Sequence, residues 1–203
     1  MSGRHHAITA AGLLLAVASF ASLQAQATPG TQKSTSSTAA ASTDSIRRDS
    51  KFIHEAAADN LLEVRLGEAA QRKAGNPAVK QFAQQMVADH QKLQDQWTVM
   101  ASKHGVSFTP GLGPLHQRKL DRLQQADPKT FDREYVATVI RNHMDAVSYL
   151  KNEGESARSA PVRKLVAYEL PMLQDHLKSA WRLGKDVGVD STVVARARVT
   201  ARS

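Results

Sequence analysis

The chain has 203 residues, 41% hydrophobic but only 5% aromatic, enough for one core and suggestive of a single helical domain. It contains no cysteine, which excludes a disulfide scaffold, thiol redox chemistry, a thiolate metal site and a lipid anchor on cysteine. The formal charge of +8 is partly local, because Arg196, Arg198 and Arg202 close a basic C-terminal stretch.

Residues 1–27 have the form of a secretory signal. Arg4 supplies the positive start, Ala7 to Ala21 is an uncharged apolar run, and Ala25-Gln26-Ala27 is an A-x-A cleavage site. The run is about fifteen residues long, short of the roughly 20 that span a bilayer. Removal after Ala27 and residence in the periplasm or cell envelope are therefore expected. Residues 28–48 are mostly Thr, Ser and Ala and are expected to form a flexible tether. The bundle domain is expected over residues 49–187 and a basic tail over 188–203. For an exported protein that tail reads as a solvated end with at most weak membrane-surface contact, and no nucleic-acid partner is expected.

Within the domain, the first helix is expected from about Ser50 to Lys73, with Phe52, Ile53, Ala56, Ala57, Leu62, Leu66, Ala69 and Ala70 inward. Gly75-Asn76-Pro77 supplies a stop, a cap and a first helical residue, so the second helix follows at once, from about Pro77 to Lys103. So short a turn makes the pair an antiparallel hairpin. A long connection, Gly105 to Asp127, carries a short helix from about Leu115 to Ala126. Asp127-Pro128 is read as the start of a third helix reaching about Gly154, and Ser159-Ala-Pro161 as the start of a fourth. Pro171 inside the fourth predicts a kink. Two helical hairpins joined by a long connection make an all-α four-helix bundle, with up-down and crossover topologies both open.

The apolar stripes have polar interruptions. His90 occupies a stripe position on the second helix, His143 on the third and His176 on the fourth, with Glu63 beside Leu62 and Leu66 on the first. Met86-Val-Ala-Asp89-His90-Gln-Lys92 echoes as Met172-Leu-Gln-Asp175-His176-Leu-Lys178, suggesting a duplicated hairpin. The three histidines lie about 13–15 residues past Pro77, Pro128 and Pro161, and Glu63 about 12 before Gly75. At roughly 1.5 Å per residue these depths agree within one turn. Burying so many polar groups is costly unless they pair or ligate something. Imidazoles with a carboxylate suit one zinc, iron, copper or manganese ion, and an internally hydrogen-bonded polar layer is the other reading. Asp89 and Asp175 are candidates for orienting a neighbouring helix's histidine, Glu169 is a reserve ligand, and Glu55, Glu68, Glu134 and Glu153 read as solvated. Haem is disfavoured, because there is no C-x-x-C-H.

Asp49-Ser-Lys-Phe52, Asn60-Leu-Leu-Glu63-Val-Arg-Leu-Gly67, Met86-Val-Ala-Asp89-His90, Phe131-Asp132-Arg-Glu-Tyr135, His143 and Leu170-Pro-Met-Leu-Gln-Asp-His176 resemble family 4142 of the domains of unknown function. The resemblance covers about Asp49 to Arg182. It implies an exported bacterial protein with a ferritin-like bundle, and it implies no activity. A di-iron centre would need Glu-x-x-His on two helices and a lone glutamate on each of the others. Here Val87 and Leu173 stand three before His90 and His176, and His143 replaces the third helix's glutamate. Only Glu63 fits, which leaves a mononuclear histidine-rich site and excludes a standard ferroxidase centre.

Three functions remain from sequence. The first is a stress-related or metal-handling envelope bundle with the layer Glu63, His90, His143 and His176. The second is a non-catalytic envelope module with hydrogen-bonded core histidines. The third is a metal-dependent oxidoreductase. No nucleophile arrangement supports the last, no catalytic residue is assigned, and oligomeric state and partners stay open.

Overall fold

The computed structural model describes residues 35–107 and 111–192, with side chains from Ile46 onward. The predicted signal at 1–27, the first part of the tether and most of the basic tail lie outside the described residues. Within them the chain is all helical: α1 Thr35–Lys73, α2 Pro77–Lys103, α3 Pro114–Gln124, α4 Phe131–Tyr149 and α5 Ala160–Asp186. A π-helical turn, Leu150–Gly154, extends α4.

Most boundaries follow the punctuation in the sequence. Asn76 caps α2 through its side chain, accepting from the Ala78 N–H, with Pro77 in the first turn. Ser159 caps α5 in the same way, and α5 continues on both sides of Pro171. Two expectations need correction. The helix begins at Thr35 instead of Ser50, running through part of the stretch read as a tether. Ala39, Ala40 and Ala41 are the strongest helix formers, so extending an already nucleated helix through them costs little. The third long helix begins at Phe131, not Pro128. Asp127 instead closes a turn, accepting the Lys129 N–H through its side chain at 2.8 Å and the Thr130 N–H through its carbonyl at 2.9 Å.

The helices form two hairpins, α1/α2 and α4/α5. Both are closed at their turns by an aspartate from the other hairpin. Asp132, in the first turn of α4, accepts the backbone N–H groups of Gly75 and Asn76 at 3.1 and 2.8 Å. Asp49 on α1 accepts those of Arg158 and Ser159 at 3.1 and 2.8 Å. These reciprocal charge-assisted bonds fix the hairpins end to end. They also set direction: α1 and α5 start at one end, α2 and α4 at the other. The connection between α2 and α4 therefore crosses the length of the molecule. It leaves near Ser159, where the His104 ring lies 3.1 Å from the Ser159 hydroxyl, and returns along α3 to the end of α1, where Lys73 bonds the Gln124 carbonyl. The topology left open by the sequence is thus a crossover.

Two apolar clusters fill the interior. One gathers Leu62, Leu66, Val79, Phe82, Met86, Phe131, Tyr135 and Ile140, and the other Phe52, Ile53, Leu93, Trp97, Leu150, Val162 and Leu173. His90, between Met86 and Leu93, falls at the seam of the two clusters, as does His176 between Leu173 and Ala180. Among the described residues no helix is long and apolar enough to cross a membrane.

Candidate metal centre

The seam holds three imidazoles. His90 from α2, His143 from α4 and His176 from α5 are 2%, 1% and 1% exposed, and their ring centroids form a near-equilateral triangle with sides of 5.4, 5.3 and 5.5 Å. One nitrogen from each ring lies within 4.8 Å of one nitrogen from both others.

The partners of the remaining nitrogens determine where the protons sit. His143 Nδ1 lies 3.1 Å from the Val139 carbonyl, which can only accept, so Nδ1 carries the hydrogen and Nε2 the lone pair. Asn60 Nδ2 donates to the Ala56 carbonyl at 3.0 Å, so Asn60 Oδ1 faces His90 Nδ1 as an acceptor at 2.9 Å. His90 Nε2 is therefore also bare. His176 Nε2 lies 3.0 Å from an Asp89 carboxylate oxygen and donates to it, leaving Nδ1 as the acceptor, buried and without a partner. All three tautomers are thus set to present lone pairs, and His90 Nε2 meets His143 Nε2 at 3.4 Å with no hydrogen between them.

Two acceptors held face to face in a buried seam repel unless a cation sits between them. The 3.4 Å separation is close to the edge of a tetrahedron with metal–nitrogen bonds of 2.0–2.1 Å, about 3.3 Å. Burial, reinforced by the neighbouring rings, holds His90 well below the ordinary imidazole range. Burial likewise lowers His143 to about 3. Both are neutral at physiological pH, the form that ligates.

The sequence-derived carboxylates divide. Asp89 buttresses His176 directly, whereas Asp175 is exposed. Glu169 reaches the triad through Asn60: its Oε1 accepts from Asn60 Nδ2 at 3.0 Å and its Oε2 from Trp97 Nε1 at 2.8 Å. Glu63 stands outside the converging group of three. Its Oε1 accepts from Asn142 Nδ2 at 2.8 Å, and its Oε2 is buried without a partner. Burial pushes both Glu63 and Glu169 up to about 7, against the lowering effect of their hydrogen bonds. Sequence reasoning passed over Asn60. The duplication could have found it, because Asp49, Phe52 and Asn60 recur at the same spacing as Asp132, Tyr135 and His143. Asn60 holds in hairpin one the place that His143 holds in hairpin two.

Beside the triad a cleft of about 930 Å³ opens between α1, α4 and the crossover, and His90 and His143 contribute to its wall. Fold and site together define a pair of helical hairpins built around a buried three-histidine cluster. The chain belongs to DUF4142, a domain of unknown function whose family model matches residues 32–183. The crystal structure of a DUF305 fragment from Deinococcus radiodurans is similar, with a TM-score of 0.59 at 16% identity over 68% of this chain and 96% of that one. That likeness shows the helical fold. No curated protein matches the chain.

Proposed function

We propose that this is an exported metal-binding protein of the cell envelope, holding one transition-metal ion on His90, His143 and His176 and serving metal handling under envelope stress. The observation that carries the metal reading is three buried imidazoles with one nitrogen of each within 4.8 Å of the others, whose tautomers are held by Asn60, the Val139 carbonyl and Asp89. A purely structural polar layer would be expected to satisfy its buried nitrogens, and here His90 Nε2 and His143 Nε2 face each other while His176 Nδ1 has no partner. An all-imidazole set favours copper, zinc or iron over manganese, which prefers oxygen ligands. Three protein ligands leave a coordination position for water or an exogenous ligand. Export is supported by Arg4, the apolar run Ala7 to Ala21 and the Ala25-Gln26-Ala27 site.

The test is elemental analysis of the chain expressed at full length and purified without a histidine tag, beside the His90→Ala, His176→Ala double variant. Near one equivalent in the wild type and none in the variant is expected. No metal in either, with unchanged folding, would leave a non-catalytic envelope module.

A further inference from the structure

The protein carries a net positive charge of +8, yet the cleft beside the triad is acidic. The acidic residues in the cleft wall are Glu55, Asp59, Glu63, Asp145 and Glu169, and the basic one, histidines aside, is Lys119. Three of them, Glu55, Asp59 and Glu63, stand four apart on one stripe of α1, about 6 Å of helix rise per step. Like charges at this spacing weaken a helix. The outer two find partial relief: Glu55 accepts from Tyr149 and lies 3.6 Å from Lys51, and Asp59 lies 3.0 Å from His116. Exposure drops at the inner end of the stripe. The Glu55 and Asp59 side chains are 41% and 47% exposed, whereas Glu63 is 6% exposed with Oε2 unpartnered. Beyond Glu63 the same cleft is walled by His90 and His143.

We propose that this cleft is the loading route for the triad's ion: a funnel for divalent cations in which the Glu63 carboxylate is the last station before the histidines. The proposal rests on the triad being a metal site. Two independent features point to a cation here, the orphaned Glu63 oxygen within the wall and the opposed imidazole lone pairs at its inner end. A narrow cleft of one charge sign with low-dielectric walls concentrates counter-ions and raises entry rates. An oxygen station suits transit, because a hard carboxylate holds a copper- or zinc-like ion less firmly than three imidazoles do. Because Glu63 is not among the converging ligands, it should set the rate of exchange and leave the affinity alone.

Stopped-flow mixing of the metal-free chain with Co²⁺ reads loading through the ligand-field bands. Glu63→Gln is expected to load about tenfold more slowly and to release more slowly by the same factor, with stoichiometry, final spectrum and affinity unchanged. Asp59→Asn, half-exposed and safe for folding, should slow loading less. Raising the ionic strength should slow the wild type, and Asp59→Asn, which removes an exposed charge of the funnel, should blunt that dependence. Variants that load as fast as the wild type, or wild-type loading indifferent to salt, would overturn the route while leaving the triad standing. A changed spectrum and weakened affinity in Glu63→Gln would overturn the transit role by making Glu63 a ligand. Wild-type protein that develops no bands would remove the triad reading and the route together.

Discussion

His90 and His143 face each other through unprotonated Nε2 atoms 3.4 Å apart, because Asn60 and the Val139 carbonyl hold the hydrogen of each ring on Nδ1. The arrangement is unfavourable in isolation and resolved by a cation. The neighbours that fix the tautomers are therefore as much a part of the site as the rings.

Asn60→Ala frees His90 to take the other tautomer and donate to His143, satisfying the metal-free core at the expense of the site. Metal affinity should fall about 10–100-fold, in the range seen when a partner orienting a ligating histidine is lost. Competition against a chromophoric chelator measures it. Unchanged affinity would contradict the tautomer argument.

His176→Leu tests ligation against mere packing. It removes a buried imidazole nitrogen with no partner and supplies an apolar side chain of similar bulk, so the metal-free protein should be as stable as the wild type or more so. Metal should then separate the two. At a hundredfold excess over Kd a bound ion adds about 2.7 kcal/mol, raising the wild-type Tm by about 5–10 °C, and His176→Leu should not respond. An equal response in both would place the ion elsewhere.

In the metal-free chain the buried groups oppose one another as pH changes. His143, lowered to about 3 when folded, contributes stability that is present above about pH 6.5 and lost as the pH falls toward 3. Glu63, raised to about 7, contributes stability that is present below about pH 4.5 and lost as the pH rises through 7. Glu63→Gln should therefore remove, on the order of 2 kcal/mol, part of the loss between pH 5 and 8 and leave acid unfolding below pH 4.5 in place. Urea titrations across this pH range measure this. The same pH dependence in wild type and variant would contradict a buried, neutralising carboxylate.

The hairpins approach closely where a side chain has no room. A Cβ on Gly154 would lie 2.7 Å from Val166 Cγ2 and 2.9 Å from Phe52 Cζ, joining the π-helical turn to α1 and α5. Gly154→Ala should cost about 1–3 kcal/mol by overpacking. Gly111→Ala, with nothing within 4 Å, should be close to neutral. Equal denaturation midpoints for the two would contradict this packing.

The sequence showed the helices through their three-and-four spacing, and the triad through polar residues interrupting apolar stripes. Counting residues along each helix gave depth, which is why His90, His143 and His176 fell at one level. Depth carries no information about direction around the axis. Glu63 shares the level, yet its carboxylate turns to Asn142. Asn60 was overlooked because a single amide on an apolar stripe has no ligand signature. Its meaning lies in a partner on another helix and in a duplication spread across both hairpins. The crossover was illegible because it depends on where Asp49 and Asp132 reach, contacts between residues distant in sequence.

The most direct measurement is the imidazole nitrogen spectrum of the ¹⁵N-labelled, metal-free protein by long-range proton–nitrogen NMR, followed through a Zn²⁺ titration. The account predicts Nδ1–H rings at His90 and His143 and an Nε2–H ring at His176. Their three bare nitrogens should shift together and saturate at one equivalent. A proton on any of those nitrogens before metal, with no shift after it, would contradict the metal site.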